Sequence, residues 1–79
     1  MESQAVIHVD ARGLRCPLPV LRLRKMAQGQ AGLIELLSDD PAAEADVPAF
    51  VREKGWELVS RTVEGATTRW RIDLRNPTS

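Results

Sequence analysis

The C-terminal segment of the chain limits the fold more than any other, because apolar and charged side chains alternate along it without a break. Trp70, Ile72 and Leu74 alternate with arginine and aspartate over residues 69–75. Successive side chains of a strand point to opposite faces of a sheet, so the pattern predicts a strand with one buried face. The rest of the chain must supply the layer that covers this face.

Three further strands and two helices are predicted upstream. The strands are expected over residues 5–10, 33–37 and 56–63, where β-branched or apolar residues cluster. The helices are expected over residues 17–28 and 46–55, and residues 42–45 are expected to form a separate turn or to extend the second helix. The order is β-α-β-α-β-β, in which the alternating part predicts parallel pairing and the final hairpin adds an antiparallel pair. This predicts a mixed four-stranded sheet with both helices on one face.

The helix limits rest on apolar spacing and on capping residues. Val20, Leu23 and Ala27 fall on one face of the first helix. In the second helix Asp46 is expected to be the N-cap, because aspartate accepts hydrogen bonds from the free N–H groups there. Gly55 is expected to end this helix, as glycine commonly does.

The chain has 79 residues and is expected to form a single domain, with its core between about residues 5 and 75. A chain this short buries only roughly 60% of its unfolded surface, which disfavours a deep cleft and a self-sufficient enzyme. The formal net charge is zero, so the charge indicates neither a nucleic-acid partner nor a membrane partner. The sequence shows no basic leader and no long apolar run, so the cytoplasm is the expected location.

Several chemistries are excluded by residue content. Cys16 is the only cysteine, so no disulfide or Cys-x-x-Cys pair can form within the chain, which fits a reducing compartment. One cysteine and one histidine cannot complete a structural zinc site, and no glycine-rich phosphate loop occurs. We therefore expect no metal and no cofactor. His8 is expected to be a paired strand residue, and Trp56 and Trp70 are expected to pack in or beside the core.

The tetrapeptide Cys-Pro-Leu-Pro at residues 16–19 indicates a cysteine at a helix start. Proline is favoured at the first helical position, so Pro17 predicts Cys16 as the N-cap. Neither Pro17 nor Pro19 has an N–H, which leaves the Leu18 N–H as a donor to the sulfur. Together with the helix dipole, this predicts a stabilised thiolate and a Cys16 pKa below the free value of ~8.5.

The region around this tetrapeptide is basic. No acidic residue occurs between Asp10 and Glu35. The basic residues in the same stretch are Arg12, Arg15, Arg22, Arg24 and Lys25. The first two are expected to strengthen the positive potential at the cysteine. The whole set is predicted to dock a partner protein, and the alternative is an ordinary hydrated helix face.

Three sequence runs resemble the motifs of a known family. They are DARGLRCPLPV at residues 10–20, DDPA at 39–42 and DVPAF at 46–50, and Arg71-Ile72 falls where the family's last strand has its basic and apolar pair. The chain resembles the TusA family, also called SirA-like or YedF-like proteins, over about residues 7–75. The Cys-Pro-x-Pro motif is a specific feature of that family.

The resemblance implies a two-layer α/β sandwich and a function. Family members accept sulfane sulfur from a donor such as a cysteine desulfurase or a rhodanese, hold it as a persulfide, and pass it to an acceptor protein. The implied destinations are tRNA thiolation, molybdenum cofactor assembly and sulfur oxidation. By the same resemblance Cys16 is the sulfur carrier, and Gly13, Pro17, Leu18 and Pro19 support the site. Leu18 stands where relatives often have glutamate, which makes this face more apolar.

Three functions remain open from the sequence. The first is a sulfur carrier, which is a relay protein and not a complete enzyme. The second is a regulatory or protein-interaction module that uses the fold but not the thiol. The third is a thiol-dependent transferase that acts on a small molecule. Cys16 could also be a buried, inert side chain, because free cysteine often is and because it aligns with Val20 along the helix.

Overall fold

A computed structural model, which describes residues 6–74, contains four strands and two helices in the predicted order. The elements are β1 Val6–Asp10, α1 Leu18–Ala27, β2 Leu33–Ser38, α2 Ala43–Lys54, β3 Glu57–Glu64 and β4 Thr67–Asp73. Ala5 and Arg75, which belong to the predicted first and last strands, lie outside the described residues.

The sheet is mixed, as predicted, and its spatial order is β1-β2-β4-β3. β1 and β2 pair in parallel and are connected by the crossover that contains α1. β4 pairs antiparallel with β2 on one side and with β3 on the other. Because β1 and β2 run in the same direction, the loops that follow them leave the sheet at the same end.

Both helices pack on one face of this sheet, as predicted. The register places Val9, Leu36 and Trp70 side by side across three strands, and all three are buried. α1 contributes Leu23 and α2 contributes Val47 to the same buried cluster. The alternation in the last strand therefore has the predicted cause, since Trp70 points into the layer that the helices cover.

The other face of the sheet carries charged residues that pair with one another. Glu35 is 5% exposed and has Arg69 Nη1 at 3.0 Å and His8 Nδ1 at 3.0 Å from its carboxylate oxygens. Arg71 Nε lies 3.5 Å from the same carboxylate, and Arg69 Nη2 lies 3.0 Å from Glu64. The hydrogen bond from Arg69 lowers the pKa of Glu35. His8 is thus a paired strand residue, as predicted.

α2 begins at Ala43, so residues 43–45 extend the second helix, which is one of the two alternatives expected for residues 42–45. The loop after β2 leads directly into the helix, because Ala43 N–H donates to the Asp40 carbonyl at 2.9 Å. The N-cap is Ala42, which makes no side-chain cap bond, so the prediction that Asp46 is the N-cap is wrong. Asp46 lies in the first turn instead, and Pro48 lies inside the helix.

The helix α2 ends at Gly55, as predicted, but the strand that follows it contains an irregularity that was not predicted. Gly55 caps α2 in the left-handed conformation, with φ at 77°. In β3 the register with β4 shifts between Leu58 and Ser60, which leaves Val59 as an extra residue. This is a β-bulge, which sequence periodicity does not predict. Val59 and Val63 are both more than half exposed.

Candidate functional site

Cys16 lies in the turn that connects β1 to α1, and its side chain is exposed. α1 begins at Leu18 with Pro17 as its N-cap, so Cys16 precedes the cap by one residue. The prediction that Cys16 is itself the N-cap, with the helix starting at Pro17, is therefore wrong by one position. The alternative of a buried, inert cysteine is also wrong, because the thiol reaches solvent.

The backbone of this turn shows why the sulfur does not cap the helix. Leu18 N–H donates to the Arg15 carbonyl at 2.8 Å, so the donor predicted for the sulfur already has a partner. Pro17 and Pro19 supply no other N–H, and the Cys16–Pro17 peptide bond is cis. Pro19 is fully buried, which fixes the start of α1 against the core.

Three aspartates hold the loop that contains Cys16. Its Sγ–H donates to Asp46 Oδ2 at 2.7 Å, and its backbone N–H donates to Asp40 Oδ2 at 2.5 Å. Gly13 N–H donates to Asp39 Oδ1 at 2.9 Å. Gly13 has a φ of 83°, a conformation that favours glycine, so it gives the loop the shape in which these bonds form. The sequence reasoning assigned none of these aspartates to the site.

The carboxylates determine the protonation state of Cys16. The hydrogen bond to Asp46 raises the pKa of the thiol, and desolvation and the negative charges of Asp46 and Asp40 act in the same direction. The predicted lowering of the Cys16 pKa is therefore wrong. A thiol can donate to the Asp46 carboxylate, whereas a thiolate would face it as a like charge. The site in this geometry holds a neutral thiol.

Parallel pairing of β1 and β2 provides the signal that would have identified these aspartates. The loops after two parallel strands leave the sheet at the same end, so residues 11–17 and residues 39–42 converge. The predicted topology already contained this convergence. The charges near Cys16 in sequence are arginines, but the hydrogen-bond partner of its sulfur lies 30 residues away.

The structure places the five basic residues along several clefts, with Arg22 close to Arg12 because both contact Asp10. Arg12 Nη2 pairs with Asp10 at 2.8 Å, and the hydrogen bond with Arg12 lowers the pKa of Asp10 to about 2. Arg15 lines a hollow together with Asp39. Arg24 lines a different cleft, near the C-terminal ends of the two helices. Arg24 is thus apart from the other basic residues, and a docking role for Arg12, Arg15 and Arg24 stays a prediction.

The remaining two basic residues flank an apolar surface that includes residues two positions before and after Cys16 in the chain. Leu14, Leu18 and Leu21, which we call the leucine patch, line a shallow hollow together with Arg22 and Lys25. Leu18 and Leu21 are 47% and 46% exposed, which is high for leucine. Exposed apolar residues with a polar rim are typical of protein-binding surfaces. A docking role for Arg22 and Lys25 stays a prediction.

The site presents one exposed thiol, that of Cys16, which would be a nucleophile when deprotonated. Within residues 6–74 no three histidine, cysteine, aspartate or glutamate side chains are placed to share a metal ion. Neither described helix is long and apolar enough to cross a membrane.

Known proteins are similar to this chain in sequence and in structure. A family model described as sulfurtransferase TusA matches residues 7–74. A protein of Archaeoglobus fulgidus named "Putative sulfur carrier protein" is 55% identical over 53 residues, which are 65% of this chain and 69% of that protein. The crystal structure of a SirA-like protein from Desulfitobacterium hafniense matches with a TM-score of 0.76 at 23% identity, covering 87% of this chain and 97% of that one. This structural likeness concerns the fold.

Proposed function

Because the chain belongs to the TusA family, we propose that it is a sulfur carrier that holds one sulfane sulfur as a persulfide on Cys16. The observation that carries the proposal is the exposed Cys16 thiol, which lies in the turn before α1 and inside the Cys-Pro-Leu-Pro motif. Exposure allows a sulfur held by another protein to reach Sγ. The buried Pro19 and the Gly13 hydrogen bond support the loop from either side.

The proposed reaction exchanges one S–S bond for another. Cys16 Sγ attacks the outer sulfur of a donor persulfide, and the donor's own S–S bond breaks as the new bond forms. The bonding pair leaves on the donor's cysteine sulfur, which also receives the proton that Cys16 loses. The exchange is therefore redox-neutral, as thiol–disulfide exchange is. An acceptor thiolate takes the outer sulfur from Cys16 in the same way.

The partners in this proposal are proteins. The donor is of the cysteine desulfurase or rhodanese kind, and the acceptor serves tRNA thiolation, molybdenum cofactor assembly or sulfur oxidation. The leucine patch beside Cys16, with Arg22 and Lys25 at its rim, supports protein docking. The chain acts as a relay and not as a self-sufficient enzyme. The cytoplasm is its proposed location, and direct contact with nucleic acid or membrane is not part of the proposal.

Intact-mass measurement tests the carrier function. We expect incubation with a cysteine desulfurase and free cysteine to add one sulfur atom to the chain, and a thiol reductant to remove it. Cys16→Ser is the matched control, because the hydroxyl keeps the size of the side chain but cannot form a persulfide. This variant should fold normally and gain no mass.

The possible results separate the alternatives. An added sulfur on the wild type and none on Cys16→Ser supports the carrier. A folded wild-type chain that gains no sulfur from a desulfurase or a rhodanese would favour the interaction module. Turnover of a small thiol substrate by the isolated chain would favour the transferase.

A further inference from the structure

We propose that Asp46 is a positioning residue for the carrier reaction, which holds the empty Cys16 side chain as a neutral thiol and releases it once Cys16 carries a sulfur. The inference rests on the proposed carrier function. It starts from the hydrogen bond of 2.7 Å between Cys16 Sγ and Asp46 Oδ2. That bond needs a hydrogen on Sγ, and only the empty side chain has one.

The contact is fixed from both sides by packed structure. Asp46 lies in the first turn of α2 and precedes Val47, which is fully buried. The Cys16 loop is held by its own backbone N–H, which donates to Asp40. Pro17 lines the same cleft as Asp46, beside the sulfur. The sulfur and the carboxylate therefore meet through anchored backbone segments and not through two mobile surface side chains.

The charges that act on the sulfur are negative. Asp46 and Asp40 both disfavour a thiolate on Cys16. The other charged groups in the hollow beside the Cys16 loop and in the cleft that Asp46 lines are Arg15, Asp39 and Glu53. Arg15 shares its hollow with Asp39 and Asp40, so its charge is offset there. The empty carrier is thus held in its less nucleophilic form.

Loading removes the hydrogen on which this contact depends. As Sγ attacks the donor's outer sulfur, its proton passes to the departing donor thiolate, and Asp46 stays ionised throughout. In the product, Sγ is bonded to Cβ and to the outer sulfur and has no hydrogen to donate. The outer sulfur lies about 2 Å farther along the side chain, and its anion is repelled by the Asp46 carboxylate.

The empty and loaded carriers therefore present Cys16 differently. The empty side chain is held against α2 through its S–H group. The loaded side chain has lost this bond and extends from the exposed turn towards solvent, where an acceptor can reach the outer sulfur. A donor meets a thiol that its docking must first activate, whereas an acceptor meets a released persulfide.

The rate of Cys16 alkylation tests whether Asp46 holds the empty side chain as a neutral thiol. The rate of Cys16 alkylation by iodoacetamide is followed against pH in the wild type and in Asp46→Asn, whose amide oxygen still accepts a hydrogen bond but carries no charge. We expect the pH at which alkylation is half-maximal to be about one unit lower in Asp46→Asn than in the wild type. Alkylation of the variant near neutral pH would then be about tenfold faster. A midpoint that stays in place or rises would overturn the proposal.

Glu53→Gln is the matched control for charge. Glu53 lies two helical turns from Asp46, about 10 Å along α2, and lines the same cleft. Its removal changes the net charge by the same amount but leaves the contact with Sγ in place. We expect its alkylation midpoint to stay at the wild-type value. An equal fall in both variants would show a general charge effect and count against Asp46.

A methyl disulfide on Cys16 tests the release step without any partner protein. Methyl methanethiosulfonate converts Sγ into S–S–CH₃, which has no hydrogen on Sγ, as in the loaded carrier. We expect the NMR chemical shift of the Asp46 carboxyl carbon to change when the methyl disulfide forms. The shift of the Glu53 carboxyl carbon should not change. An unmoved Asp46 signal would refute release. The alkylation profile and the Asp46 signal report on the Asp46 contact and need no sulfur donor. Intact mass after desulfurase treatment reports on the carrier function, so the two proposals can fail separately.

Discussion

At the scale of single residues, Glu35 is a buried carboxylate that keeps its charge on the uncovered face of the sheet. Arg69 and Arg71 lie over it, and the hydrogen bond from Arg69 lowers its pKa below the ordinary range. A pKa that is lower in the folded chain adds stability above the unfolded value of ~4.3. This stability is lost as the pH falls through the folded value.

Glu35→Gln should therefore reduce the acid sensitivity of the fold. On going from about pH 6 to about pH 3, the wild type should lose more free energy of unfolding than the variant, because glutamine does not ionise. Urea unfolding at both pH values measures this loss of free energy in the wild type and in the variant. Glu53→Gln, an exposed carboxylate on α2, should behave like the wild type. If Glu35→Gln lost as much free energy of unfolding as the wild type over this pH range, the pairing of Glu35 with the arginines would not explain the acid sensitivity.

The residues of the site differ in how far they could be predicted. Cys16 could be placed before a helix because the signal, Pro17, is its neighbour in the chain. The protonation state of Cys16 could not be predicted, because it depends on Asp46 and Asp40, which only the folded chain brings near. The motif that contains Asp46 was visible in the sequence, but its contact with the sulfur was not.

At the scale of elements, α1 has one face that packs in the core and one that does not. Leu23 is fully buried, whereas Leu21 is 46% exposed on the same helix. We expect Leu23→Ala to lower the free energy of unfolding by about 2–5 kcal/mol, since it leaves a cavity. Leu21→Ala should change it by no more than about 0.5 kcal/mol. Urea unfolding distinguishes them, and similar losses in both would contradict this packing.

The exposed face of α1 leads to a prediction about sulfur acceptance. Reversing charge at Arg22 and Lys25 together should slow acceptance from a desulfurase by about tenfold at low salt, and less at high salt, because rim charges act mainly on association. The transfer rate is measured across ionic strength. Arg24→Glu is the control on the same helix, since Arg24 lines a different cleft. Rates that do not change with salt in any variant would leave these residues as a hydrated helix face.

Strands and helices could be predicted with different success. The strands fell close to their predicted limits because β-branched and apolar residues cluster in the first three and alternate with charged residues in the last. The N-cap of α2 was predicted wrongly because Asp46 has the side chain of a good cap, whereas the chain already turns into a helix at Ala43, whose N–H donates to the Asp40 carbonyl. The bulge at Val59 could not be predicted, because the pattern of apolar and polar residues in β3 does not indicate an extra residue.

At the scale of the whole molecule, the order of elements determined most of the architecture. Alternation of strands and helices predicted the parallel pair and the single covered face, and the final hairpin predicted the antiparallel pair. The position of β4 between β2 and β3 did not follow from the order of elements, because it depends on which sheet edge the hairpin joins. The site at the end of the parallel pair is a consequence of this topology.

The bulge at Val59 has a consequence for how copies of this chain behave at high concentration. β3 is an outer strand of the sheet that residues 6–74 form, so one side of its backbone has no neighbour among the described strands, and it carries the exposed Val59 and Val63. A flat strand of this kind is a template on which another chain can add and aggregate. Because the extra residue bends and twists the strand, a second copy cannot form a regular ladder along its length, which works against self-assembly into fibres.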